Sequence, residues 1–250
     1  MLCPGYKSTY GGACIPYTGA ARAIDDHPSD WDTPLRIRYQ TIEFGELDIH
    51  LCSLRDRQQI RDDDGRAEAM GVPRAHWSLF GVVWASSRVL ANFMLDFDMA
   101  GKRILEVGCG TALSSLLLNK LHQNITATDH HPDAEAMLQR NVALNGDATI
   151  PYQRTGWEDD DNTLGLFDLI IGSDLLYESD NVNILASFID THAMPNSEVV
   201  IVDPGRGQAA RFSKPMAGYG FDCEQSLVSG DAGAGAGEDY RGRILQYQRA

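Results

Sequence analysis

At 250 residues the chain is long enough to bury a sizeable core as one α/β domain with an appendage, and too short for two full domains. With 35 Asp and Glu against 21 Lys and Arg, a formal net charge of -14, it lacks the cationic surface from which nucleic-acid binding draws most of its affinity, and its field favours basic partners. Five scattered cysteines with no CxxC pair argue against a disulfide framework or a zinc site, and neither a leader-like start nor a run of about 18 apolar residues is present, so a soluble protein of the reducing cytoplasm is expected.

Met1 to Pro34 mixes glycine, proline, aspartate and scattered aromatics without a sustained period, and reads as an irregular arm whose tyrosines and Trp31 are expected against the core. From Arg36 to Leu54 apolar residues alternate: Ile37 and Tyr39, Ile42 and Phe44, then Leu47, Ile49 and Leu51. The pattern predicts a β-hairpin turning at Gly45-Glu46. Asp62-Asp63-Asp64-Gly65 lacks the spacing and closing glutamate of an EF-hand and reads as a solvated turn rather than a calcium loop. Between Pro73 and Leu95, Val83, Ser87, Leu90 and Met94 follow a helical period, with Phe80 and Trp84 toward the helix start. Trp84 is then either a wall of a ligand pocket or plain core.

The most informative stretch is Lys102 to Leu118, KRILEVGCGTALSSLLL. Ile104 to Val107 predicts a short buried strand, and the bend Gly108-Cys109-Gly110 turns from it into an amphipathic helix. Lacking Cβ atoms, Gly108 and Gly110 let the backbone approach a ligand at the start of that helix. A dinucleotide loop would continue to a third small residue, where this chain has Leu113, and its pyrophosphate would be repelled by Glu106, two residues before the first glycine. A carboxylate there suits the ammonium of S-adenosylmethionine, which has no phosphate. Asp129 ends a strand predicted from Ile125 to Thr128 and stands about 20 residues on, where an acid meets ribose hydroxyls in such folds.

His130-His131-Pro132 reads as a ribose-side loop, since no Cys, Asp or Glu cluster at ligand spacing accompanies the histidines to make a metal site. A helix from Asp133 to Leu144 closes at Asn145-Gly146. Tyr152 to Trp157 predicts a third strand, with Trp157 placed to flank adenine, and Glu158 to Asp161 is solvated loop. LFDLIIGSDLLYES holds a buried parallel strand, Phe167 to Ile171, followed by Ser173, Asp174 and Tyr177, which a doubly wound sheet directs to its ligand edge. Asp174 has a second reading, as a helix N-cap. A helix near Val182 to Thr191 and a strand from Glu198 to Val202 lead to Asp203-Pro204-Gly205-Arg206, whose Pro-Gly pair suits a type II turn as well as a functional loop. Two late strands, Gly220 to Leu227 and Arg241 to Gln248, flank a Gly/Ala-rich connection from Gly230 to Gly237.

Strands and helices alternating around a parallel sheet, closed by an antiparallel hairpin and carrying ExGxG, resemble the class I, seven-strand S-adenosylmethionine-dependent methyltransferases from about Pro73 to Gln248. The resemblance implies an α/β, Rossmann-like fold: a seven-stranded, mostly parallel sheet with an antiparallel C-terminal hairpin and helices on both faces. Residues 1–72, the arm and β-hairpin, would be appended to a methyltransferase domain at 73–250. Within the class, the tryptophan-bearing helix from Phe80 to Leu95, Trp157 and the DxxY segment Asp174-Leu175-Leu176-Tyr177 are similar to the protein-lysine methyltransferase group. Asp203-Pro204-Gly205-Arg206 is similar to its branch acting on the electron-transfer flavoprotein β subunit.

Carried over, the resemblance gives the methionine end of the cofactor to Glu106, Gly108 and Gly110, with Cys109 and Ser173 beside it, and the ribose to Asp129. It gives the adenine surroundings to Trp157, the cofactor's cover to Trp84 and the acceptor side to Asp174 and Tyr177 as catalytic residues. The N/D-P-P-Y segment of methyltransferases acting on DNA bases or glutamine is replaced here by Ser173-Asp174-Leu175-Leu176-Tyr177, which with the acidic charge turns the reading from nucleic acid toward a lysine of a protein substrate. A small amine or other metabolite as acceptor, and a non-catalytic module that keeps the pocket as a relic, are the alternatives.

Overall fold

The alternation from Arg36 to Leu54 forms an antiparallel hairpin, β1 (Ile37–Phe44) and β2 (Leu47–Leu54), turning at Gly45 and Glu46. The computed structural model describes residues 36–55, 65–72, 77, 79–159, 163–179, 181–230 and 240–250. The arm at Met1 to Pro34, the Asp62 to Asp64 part of the acidic turn and most of the Gly230 to Gly237 connection lie outside the described residues. The hairpin is held by a match of two repeats. Four residues of helix advance about 6 Å and two residues of strand about 6.7 Å, so Asn141 and Asn145 meet Cys52 and His50 of β2. Asn141 Oδ1 accepts from the Cys52 amide at 2.7 Å while Nδ2 donates to the Cys52 and Thr111 carbonyls, each at 3.2 Å. Asn145 repeats the exchange with the His50 amide and carbonyl at 2.9 and 2.8 Å. Two side-chain amides thus stand in for a neighbouring strand and cover the edge of β2.

The expected seven-stranded sheet is present. Strands β3 (Arg103–Val107), β4 (Asn124–Asp129), β5 (Tyr152–Arg154), β6 (Phe167–Ser173) and β7 (Ala193–Asp203) are parallel, and β9 (Tyr240–Arg249) runs antiparallel to both its neighbours, β7 and β8 (Asp222–Gly230). The spatial order is β5-β4-β3-β6-β7-β9-β8. Side-chain alternation sorts the core into two layers. On one face Ile104, Ile125, Leu169, Ile171, Val200 and Val202 pack with the hairpin's Ile49 and Leu51 and with helices α1 (Ala85–Met94), α2 (Leu113–Lys120) and α3 (Ala134–Asn145). On the other, Leu105, Val107, Ile170, Val199, Ile201 and Leu245 pack with α4 (Asn181–His192) and α5 (Ala209–Gly218).

Two expectations are corrected. The helix read from Phe80 begins only at Ala85: Gly81 has φ +79°, outside the helical range, and Trp84 is an extended N-cap residue with φ -84° and ψ 147°. Phe80 and Trp84 therefore stand in the turn ahead of α1. The third strand ends at Arg154, so Trp157 belongs to the following turn. Among the described residues no helix is long and apolar enough to cross a membrane.

Candidate active site

The strand order reverses between β3 and β6, and ligands of such sheets bind beyond the carboxyl ends of the strands at that point. A cavity of about 330 Å³ opens there. Trp84, Gly108, Cys109, Gly110, Asp129, Trp157, Ser173, Asp174 and Tyr177, all singled out in the sequence, line it.

Glu106 does not line it. Its side chain is buried beneath the loop, where Oε2 accepts from the Ser115 amide at 2.9 Å and from the Ser115 hydroxyl. The physical reason lies one turn away. The N-cap of α2 is Ala112, in a left-handed conformation at φ 60° and without a side-chain oxygen, so an amide of the first turn needs an acceptor from elsewhere. Glu106 supplies that acceptor from β3 and so supports the loop from below; the sequence reading gave this carboxylate to a ligand ammonium, and here it is engaged by Ser115.

This burial makes the site pH-dependent. Desolvation raises the Glu106 carboxyl from 4.5 to about 7, against the opposing hydrogen bonds from Ser115. The folded chain then holds a proton that the unfolded chain releases over that interval, so the contribution to stability is full below pH 4.5 and is lost as pH rises through about 7. Glu106→Gln removes the titration. Its stability relative to the wild type is expected to rise by about 2 to 3 kcal/mol between pH 5 and 8. Urea unfolding of both proteins across that range checks this, and parallel curves would contradict it.

The glycine loop is shaped by one leucine. Gly108 has φ +63°, and a Cβ on it would stand 2.6 Å from Leu175 Cδ2; a Cβ on Gly172, at the end of β6, would stand 2.5 Å from Leu175 Cδ1. Leu175 of the DxxY segment is thus seated in a notch between two glycines, and the loop after β3 and the loop after β6 pack as one body. Asp129 ties in the third loop: Oδ2 accepts from the Gly110 amide at 2.8 Å and Oδ1 from the His131 amide at 2.9 Å. An amide that a pyrophosphate would need is therefore already turned to a carboxylate, which fits a cationic ligand and not a dinucleotide. Burial, followed by the charges of Asp129 and Glu106, holds the Cys109 thiol well above its ordinary range, so it lines the cavity as a neutral group.

Aromatic rings close the sides. The Trp84 indole donates to the Leu79 carbonyl at 3.0 Å, and Phe80 stacks on His131 with ring centroids 3.9 Å apart and planes 5° from parallel. Both rings of that stack line the cavity; the sequence reading put His131 in a ribose-side loop and gave Phe80 no place at the ligand. The stack forms across a separation that no local pattern reports.

On the opposite wall no helix begins at Asp174; the next one starts at Asn181, which removes the N-cap reading. The Asp174 carboxylate instead takes a two-pronged pair from Arg206, with Nε to Oδ1 at 2.7 Å and Nη2 to Oδ2 at 3.0 Å. Burial, then the charges of Glu178, Asp129 and Asp174, push the Tyr177 hydroxyl upward, so it stays protonated at neutral pH. Arg206 lines the cavity as well; its signal in the sequence was the Asp203-Pro204-Gly205-Arg206 turn, left open between structure and function.

A family model described as lysine methyltransferase matches residues 74–213. Protein N-lysine methyltransferase METTL21A of Danio rerio is 29% identical over 136 residues, which make up 50% of this chain and 62% of that protein. The electron transfer flavoprotein beta subunit lysine methyltransferase of Mus musculus is 26% identical over 152 residues, 59% of this chain and 58% of that protein. The chain thus spans about six tenths of the length of these curated relatives. A solved methyltransferase from Pyrococcus furiosus superposes with a TM-score of 0.52 at 17% identity over 63% of this chain and 80% of that one, a likeness of fold.

Proposed function

The chain belongs to the lysine methyltransferase family, and from that membership and the cavity we propose that it is an S-adenosylmethionine-dependent enzyme that methylates lysine side chains of protein substrates. The observation that carries the reading is the seat of Leu175 between Gly108 and Gly172, which makes the donor-side loop and the Asp174 to Tyr177 segment two walls of one cavity. When bound, S-adenosylmethionine supplies an electrophilic methyl on a sulfonium. Gly108, Cys109, Gly110 and Ser173 would hold its methionine end, Asp129 its ribose and Trp157 its adenine, with Trp84 as cover. Glu106 serves by holding the start of α2.

The chain's own residues have a proton to manage. A lysine ammonium has a reference pKa of about 10.4, so presenting it as the neutral nucleophile at pH 7.4 costs roughly 4 kcal/mol unless the site helps. Asp174 orients the nitrogen, Tyr177 offers it a protonated hydroxyl and an aromatic face, and the apolar walls exclude water. We also propose residues 73–250 as the catalytic domain, with residues 1–72 appended to it. The acidic net charge supports basic protein segments rather than nucleic acid as partners. Free thiols at Cys52, Cys109 and Cys223 support a reducing, cytoplasmic setting. A metabolite acceptor is not favoured by the family membership.

The test is mass spectrometry of a lysate incubated with the protein and isotopically labelled donor. Label on lysines of defined proteins is the expected result. Label confined to the low-molecular-weight fraction, or none at all, overturns the reading.

A further inference from the structure

Asp174 is held more firmly than an acid that merely waits for an ammonium. Its amide donates to the Val202 carbonyl at 2.8 Å, and its backbone is left-handed at φ 56°, which aspartate tolerates better than most residues. Its side chain is 11% exposed, with both oxygens engaged by Arg206. That pairing, above all its hydrogen bonds, raises the guanidinium's pKa further, so Arg206 is a fixed charge. Asp203, fully buried at the end of β7 three residues before Arg206, has no hydrogen-bond partner on either carboxylate oxygen among the described residues; burial pushes its carboxyl up, and the nearby amides of Arg206 and Gly205 oppose the rise.

We propose that Arg206 is a positioning residue of the acceptor site: it fixes the Asp174 carboxylate on the cavity wall and keeps a positive charge beside the incoming lysine, so that the amine is held there in its neutral, nucleophilic form. The proposal rests on the reading of the cavity as a lysine-accepting site. A lone carboxylate would bind the ammonium and favour the protonated, unreactive state. Paired with a guanidinium it has spent two of about four acceptor positions and most of its field, while the rest still orient a nitrogen. The adjacent cation favours loss of the amine's proton to solvent, the device by which a neighbouring charge activates a lysine. The other charged and titratable groups around the pair are Asp203 and Arg243, Tyr240 from β9, Tyr177 and Glu178 from the loop of Asp174, and Cys109, Asp129, His130 and His131 on the cavity wall. The carboxylates among them would hold a proton on the amine, and Arg206 counters them.

The test compares wild type, Arg206→Gln and Arg206→Lys in single-turnover reactions across pH, using a peptide from a protein labelled in the lysate experiment. Arg206→Gln is expected to move the acidic limb of kcat up by about one pH unit, with about a tenfold loss at pH 7 and no rise in KM. Arg206→Lys, which keeps the charge, is expected to leave the limb near its original position. Replacing the acceptor lysine by the less basic thialysine should restore much of the Arg206→Gln rate. Calorimetry with the lysine peptide and cofactor-free protein should show Arg206→Gln binding at least as tightly as wild type. Wild-type transfer to lysine with superimposable pH profiles, or an Arg206→Gln deficit that thialysine leaves unchanged, overturns the role of Arg206 alone. A wild type that transfers no methyl to any lysine overturns the functional reading from which the proposal starts.

Discussion

Asp174→Asn is expected to slow methyl transfer by about 100-fold or more while changing donor affinity by less than about twofold. Asparagine matches aspartate in size and tolerates the left-handed backbone at this position, so the loop keeps its path. What it lacks is charge. Arg206 would be left without its carboxylate partner on the wall that receives the acceptor, repelling an ammonium and no longer drawn to the geometry seen here. A 100-fold loss corresponds to about 2.7 kcal/mol of barrier. Arg206 is 41% exposed at its side chain, so solvent screens the pair and little of the loss should appear in thermal stability. Single-turnover kinetics beside donor calorimetry make the measurement. A wild-type rate in Asp174→Asn would mean that the carboxylate has no part in transfer.

Gly108→Val is expected to weaken donor binding by at least about 30-fold. Two costs add. At φ +63° a β-branched residue is a steric outlier, and its Cβ would stand 2.6 Å from Leu175 Cδ2, well inside van der Waals contact. The loop then has to shift, and with it the Leu175 seat that joins it to the Asp174 segment. The double variant Gly108→Val with Leu175→Ala separates the causes: truncation removes the clash and leaves the backbone strain, so part of the affinity should return. Calorimetry on both variants decides it. Unaltered affinity in Gly108→Val would mean that the loop does not approach the donor.

The sequence alone determined the parts of this protein that repeat over short distances. Alternation at Ile37 to Leu51 specifies the hairpin, and apolar runs such as Phe167 to Ile171 specify strands buried on both faces, because side-chain direction along a strand or helix follows directly from backbone geometry. The glycine loop with an acid at the end of the next strand was legible for the same reason: Gly110 and Asp129 meet because their strands are neighbours in a parallel sheet. Local order also failed locally. The helical period from Val83 carried Trp84 into the helix start, yet an extended backbone and the left-handed Gly81 put it ahead of the helix.

Only the tertiary structure decided the partnerships. Glu106 turns under the loop to cap α2 because Ala112 has no oxygen to offer, a demand visible only once the helix start is placed. Asn141 looks like any polar helix residue until β2, 89 positions earlier in the chain, presents its unpaired edge. Asp174 read as a free acid, and its partner Arg206 lies 32 residues away at the end of the neighbouring strand. Such contacts depend on which strand ends lie side by side, and that order comes from burying both sheet faces at once, a condition on the whole chain that no single window of residues contains.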